Sequence, residues 1–252
     1  MEERFFKFDV LSKFPEVIHG ISSRNYRNMS FYRGDQEKVA KNREYFLNEA
    51  GISIDNIVVP EIVHDAKIVV VKKADMGRGA KSAETDIKGA DGLVTKDAGV
   101  GLMVTVADCF AILSYDPVCR AVGLAHAGWR GIEGEVIANL IKAMESIGCQ
   151  KDSILFSVGP GICQKHFVVR NDVLDKFLRQ YPQATFVRNK DGYVDLRKVI
   201  LSDFKNNHIS SHNIEISIIC PACQNGIFGS YRMEGDRVPT SAAVIGLKSS
   251  EE

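Results

Sequence analysis

Between Gly92 and Trp129 four short apolar segments, GLVT, GLMVTV, FAILSY and AVGLAHAGW, follow one another with only a few residues between them. Runs of this length, rich in Val, Leu and Ile, read as strands, and Asp116-Pro117 supplies a turn between the last two. Their close spacing predicts adjacent strands, and any fold for this chain has to accommodate them. From Gly131 to Gly148 the pattern changes to a helical period. Ile132, Val136, Ile137, Leu140, Ile141, Met144 and Ile147 form one stripe, which ends at a glycine.

Other elements frame this block. Gly34 to Gly51 predicts an amphipathic helix, with Asp35 as N-cap and Gly51 as its stop. Lys67–Lys72 reads as a strand, and the polar stretch from Lys72 to Gly89 as a mobile surface loop. ILFSVGPGI predicts a strand with a sharp Gly159-Pro160-Gly161 turn. Helices are predicted to start at the caps Asn171 and Asp195, and late strands at Ile214–Cys220 and Ala242–Leu247. With no repeat or linker to divide it, the chain is expected to form one layered α+β domain over residues 1–252, with mixed β-sheets flanked by helices.

Composition narrows the function. The 32 basic and 32 acidic residues cancel, so there is no general basic field to condense on nucleic acid or anionic lipid. The longest apolar stretch, Gly101–Leu113, is interrupted by Asp108 and is too short to cross a bilayer. Nothing at the N-terminus resembles an export signal, and the six cysteines are too few for a disulfide scaffold, so reduced thiols and a cytoplasmic location are expected. The expected partners are small molecules, with neither nucleic acid nor membrane, and with room for a homo-oligomer.

Only six histidines are present. His126 closes an apolar strand just before a helix start, a junction suited to anions. Asp108 and Cys109 interrupt an apolar run, and a carboxylate beside a thiol conflicts with burial unless it is paired or functional. The ordinary reading of Cys109 is a small buried hydrophobe, and that of a strand-end histidine is a structural one. Trp129 is expected to pack. Cys220-Pro221-Ala222-Cys223 has redox-like spacing but lacks the second ligand pair that structural zinc requires, and reads as mainly structural. Gly99–Val104 runs into a strand and is no dinucleotide fingerprint.

ADGLVT (Ala90–Thr95), VADC (Val106–Cys109), AHAGWRG (Ala125–Gly131), GPGI (Gly159–Ile162) and SYR (Ser230–Arg232) resemble, in the same order, motifs of the laccase-domain or polyphenol oxidase family, also called a purine nucleoside phosphorylase family. HGISSR (His19–Arg24) and GDQEKVAKNR (Gly34–Arg43) extend the resemblance over nearly the whole chain. The chain departs from the pattern at Ile62 and Asp65, at Asn25–Asn28 and at Val238–Ser241.

The resemblance implies a metal held by His64, Cys109 and His126. Two imidazoles and a thiolate suit zinc and leave a fourth position open, as in catalytic sites. The family's older copper-oxidase label fits poorly, because an oxygen-reducing copper cluster needs more imidazoles than six histidines provide. The implied activity is phosphorolysis of adenosine, inosine and methylthioadenosine, with adenosine deamination. For this chemistry Arg24 and Arg130 are candidates to hold phosphate, and Asp108 or Asp91 to move protons. Two other readings are a metal-free cysteine hydrolase, in which His126 activates Cys109, and a non-catalytic binding module.

Overall fold

On the strand Phe110–Asp116, the side chains of Ala111, Leu113 and Tyr115 enter one apolar cluster, while Phe110 and Ile112 enter another. The partner strand Ala121–Ala127 divides likewise, Val122 and Leu124 to the first cluster and Ala121, Ala125 and Ala127 to the second. A period of two with both faces apolar is what a strand covered on both sides requires. The computed structural model describes residues 5–249 and shows how that covering is achieved.

Two sheets stack face to face. One has six strands in the order Ile214–Ile216, Leu155–Val158, Phe110–Asp116, Ala121–Ala127, Gly92–Thr95, Ile68–Val70; the other has five, in the order Phe5–Phe6, Val17–Ser22, Ser241–Leu247, Gly101–Val106, Ile57–Val58. Both mix parallel and antiparallel pairs. Leu102, Val104, Ile245 and Leu247 meet Leu113, Tyr115 and Leu124 between the sheets. Helices Val136–Ser146, Asn171–Gln180 and Leu196–Asn206 cover the outer face of the six-stranded sheet, and Gln36–Ala50 packs outside the five-stranded one. The architecture is α+β, as expected.

Local signals are realised closely. Asp35 accepts the Lys38 N–H and Gly51 closes the helix in the left-handed region at φ 87°, and Asp195 caps Leu196–Asn206 through the Lys198 N–H. Asn171 does not cap its helix: it is the first helical residue, and Arg170 holds the cap position with no side-chain bond. Four further expectations are corrected. GLMVTV is not adjacent to its neighbours in sequence; it joins the other sheet, between Ser241–Leu247 and Ile57–Val58, because both of its faces are apolar and periodicity cannot say which sheet receives it. The helix expected over residues 131–148 starts at Trp129 and breaks at Gly134-Glu135, where Glu135 adopts φ 64°, before Val136–Ser146 resumes.

The stretch 72–89 is not a free loop. It contains two short 3₁₀ turns, and Ala80, Asp86 and Ile87 are buried. Gly79 sits at φ 71°, where a Cβ would lie 2.7 Å from the Val59 carbonyl oxygen, so only glycine fits. The strand expected over residues 214–220 ends at Ile216, and Cys220 opens a turn. The strand Val17–Ser22 and the hairpin Thr185–Arg188 with Asp191–Val194 carried no signal strong enough to predict them. No described helix is long and apolar enough to cross a membrane.

Candidate metal centre

The crossing of GLMVTV from one sheet to Phe110–Asp116 in the other passes through Ala107, Asp108 and Cys109, with Asp108 at φ 75°. This bend lifts Cys109 to the end of the sandwich. There, His126 continues the inter-sheet parity of Val122 and Leu124 at the end of its own strand. His64 arrives on the loop before Ile68–Val70, and the ligand atoms of His64, Cys109 and His126 all lie within 4.8 Å of one another. The two imidazoles meet edge to face at 4.9 Å between centroids.

Asp91 builds this arrangement. Its Oδ1 accepts the His64 N–H (2.9 Å) and faces His126 Nδ1 (3.1 Å), while Oδ2 accepts the N–H groups of Val63 (3.3 Å) and Asp65 (2.8 Å). One fully buried carboxylate therefore holds the loop carrying one histidine and the ring of the other. It also offsets the positive φ of Ile62 (47°) and His64 (61°), costly conformations for side chains of these types. With Nδ1 occupied by Asp91, Nε2 of His126 is left for a cation. Burial would raise the Asp91 carboxyl, but the hydrogen bonds from His126, Asp65 and His64 hold it below the ordinary range. Burial likewise opposes charge on His126, yet the Cys109 sulfur and Asp91 bring its pKa up to about 9. Burial and the positive neighbours His126, Arg130 and Arg33 lower that of His64, against Asp91.

Gly128 leaves space for these ligands. A Cβ there would lie 3.1 Å from Cys109 Sγ, 3.3 Å from His126 Cε1 and 3.7 Å from His64 Cδ2. The cluster forms part of the wall of a cavity of about 390 Å³, together with Phe31, Tyr32, Arg33, Arg43, Glu61 and Tyr231. The donor set, its spacing and the open cavity beside it fit a three-ligand metal centre.

Over residues 14–248 the sequence matches the family model described as multi-copper polyphenol oxidoreductase laccase. The chain belongs to this family. Among curated proteins it is similar to purine nucleoside phosphorylase YlmD of Bacillus subtilis, 26% identical over 96% of this chain and 90% of the relative. It is 28% identical to adenosine deaminase RL5 from an unknown prokaryotic organism, over 86% of each chain. The crystal structure of YlmD from Geobacillus stearothermophilus superposes with a TM-score of 0.91 at 26% identity, covering 98% of this chain and all of the other.

In this laccase-family chain the structure distributes the candidate residues unevenly. Neither Asp91 nor Asp108 lines the cavity. Asp108 Oδ2 accepts the Ser230 hydroxyl (3.0 Å) and the Arg232 N–H (2.7 Å), which seats Tyr231 in the cavity wall. Burial raises the Asp108 carboxyl despite these two donors, and its Oδ1 has no hydrogen-bond partner. Arg24 is turned to Glu234 in a two-pronged ion pair (2.9 and 2.6 Å). Arg130 lies over the Trp129 ring at 4.3 Å, close enough to His64 to affect its titration.

The cavity's own charged residues were missed. Arg33 lies over Tyr231 at 4.9 Å. Arg43, buried, donates to the carbonyls of Met29, Gly79 and Ala80 and so ties two cavity walls together. Glu61 accepts the Gly89 N–H at 2.8 Å. The sequence signal for Arg43 was its place at the end of the family-like motif GDQEKVAKNR and on the apolar stripe of the helix, four residues after Val39 and three before Phe46.

Proposed function

We propose that this protein is a zinc-dependent purine nucleoside phosphorylase with adenosine deaminase activity. The carrying observation is the convergence of His64, Cys109 and His126 on a cavity lined by aromatic and cationic side chains. The names of its relatives supply the two reactions. Copper oxidase chemistry has less support: His166 belongs to a separate sulfur-rich cluster, and His19 is buried and accepts the Phe8 N–H, so no further imidazoles gather around the first three.

A zinc ion held by His64, Cys109 and His126 would supply a Lewis acid that makes water a nucleophile near neutral pH. Asp91 acts as a positioning residue by fixing both histidines. The aromatic rings of Phe31, Tyr32 and Tyr231 offer stacking surfaces for a purine. Arg33, which lines the cavity while pairing with Asp236 (2.9 Å), offers positive charge to a phosphate oxygen that attacks the sugar C1′ as its bond to the base breaks, and Arg130 adds to the positive field felt at His64. Glu61 is partly exposed and lines the cavity, where Asp91 and Asp108 do not, and it takes the proton-handling role expected of those two aspartates. Asp108 keeps Tyr231 in place.

The test is to incubate the zinc-loaded protein with adenosine, inosine and methylthioadenosine, with and without phosphate. Adenine with ribose 1-phosphate reports phosphorolysis, and inosine from adenosine reports deamination. Absence of product from all three nucleosides would overturn the reading.

A further inference from the structure

Away from the cavity, a second group of soft ligands comes together. Cys163 and His166 lie on one turn, after Gly159-Pro160-Gly161, and Cys220 and Cys223 on another, after Ile214–Ile216. Their four ligand atoms all lie within 4.8 Å of one another. His166 Nδ1 is 3.4 Å from Cys163 Sγ, 3.4 Å from Cys223 Sγ and 3.9 Å from Cys220 Sγ, and the Cys163 and Cys223 sulfurs are 3.8 Å apart.

These separations are the edges of a coordination tetrahedron. With Zn–S near 2.3 Å and Zn–N near 2.0–2.1 Å, tetrahedral geometry places sulfurs about 3.8 Å apart and sulfur and nitrogen about 3.5 Å apart. A disulfide needs about 2.05 Å, and all six cysteines are free. The backbone is arranged for the same purpose. The Cys163 N–H donates to Cys220 Sγ at 3.2 Å, and the turns are closed by His166 N–H to the Cys163 carbonyl and Cys223 N–H to the Cys220 carbonyl. Donation to sulfur favours thiolate and orients it.

We propose that Cys163, His166, Cys220 and Cys223 bind a second, structural zinc ion. Four protein ligands close the coordination shell, in contrast to the three-ligand centre at the cavity. The CxxC pair does have its second pair of ligands, delivered from 57 residues away along the chain. The ion clips the turn after Leu155–Val158 to the segment that leads to the cavity wall. Arg232 continues the clip: its guanidinium donates to the carbonyls of His166 (2.6 Å) and Val168 (3.2 Å), while its N–H and Ser230 hold Asp108. Tyr231 enters the cavity between them. Cys223 is exposed and gives the ion a route in.

The test counts zinc per chain. Protein purified without chelator should hold two equivalents. A His64→Ala/His126→Ala variant should retain one, with an X-ray absorption spectrum fitting three sulfurs and one nitrogen. Cys163→Ser/Cys223→Ser should lose that equivalent, and its melting temperature should fall toward that of chelator-stripped protein. If the histidine variant does not fold, the wild type decides: titration with a mercurial should release two zinc ions rather than one. The proposal is overturned if the wild type holds at most one zinc while Cys163, Cys220 and Cys223 react with a thiol reagent as readily as in stripped protein, or if mass spectrometry finds them disulfide-bonded. Loss of zinc confined to the histidine variant would refute only this second site, and failure of nucleoside turnover with two zinc ions bound would refute only the proposed activity.

Discussion

Replacing Asp91 with Asn changes one oxygen to an amide nitrogen at a position where four groups converge, and both orientations of the new side chain are unfavourable. If its oxygen stays toward His64 and His126, the NH₂ faces the N–H groups of Val63 and Asp65, which now point at 3.3 and 2.8 Å toward Oδ2. Both donors lie on a partly exposed loop where water takes up part of the loss, so each bond lost costs roughly 0.5–1.5 kcal/mol and stability should fall by about 1–3 kcal/mol. If the amide turns over, its NH₂ meets His126 Nδ1, the ring proton moves to Nε2, and the nitrogen left for the cation is blocked. Loss of such an outer partner lowers metal affinity by about 10–100-fold, or roughly 1.4–2.8 kcal/mol. Chelator competition gives the zinc affinity of this centre, and urea unfolding of the stripped protein gives the stability. A variant with both unchanged would show that Asp91 does not organise the site.

Gly128→Ala should drive its methyl group against Cys109 Sγ and His126 Cε1, displacing them by a few tenths of an ångström; zinc should bind at least about tenfold more weakly by chelator competition, and unchanged affinity would count against the assigned geometry. Arg33→Ala should raise the KM for phosphate about 10–100-fold, the equivalent of one charge-assisted hydrogen bond, with a smaller effect on deamination, as read by assaying the two products separately. His19 is buried, and burial lowers its pKa to about 4. In the unfolded chain it titrates near 6.5, so its stabilisation is complete above that pH and is lost as pH falls from about 6.5 to 4, by about 3 kcal/mol in all. Urea midpoints measured across that window should fall in the wild type and fall less in His19→Phe.

Much of the fold was legible because its signals are local. Asp35, Gly51 and Asp195 start or stop helices through bonds to backbone groups within one turn, and alternation along Phe110–Asp116 requires only the pleat of its own chain. The three proposed ligands at the cavity were legible through motifs such as HAGWRG, although the sequence alone could not show that they meet. The sheet that receives Gly101–Val106 was not legible, since a strand apolar on both faces satisfies either partner. Charge roles also stayed hidden. Arg24 and Arg33 look alike in sequence, and in the folded chain each finds a carboxylate, Glu234 and Asp236, but only Arg33 also lines the cavity.

By itself the sequence determined most of the elements, the Asp35 and Asp195 caps and the family of the site, because these depend on neighbours within a few residues. The tertiary structure alone decided which polar groups share a space: that Asp91 serves two histidines, that Asp108 secures Tyr231, and that Cys163 and His166 meet Cys220 and Cys223. Those meetings join segments far apart in the chain, whose paths are set by the packing of two sheets and their helices, and no short-range rule encodes them.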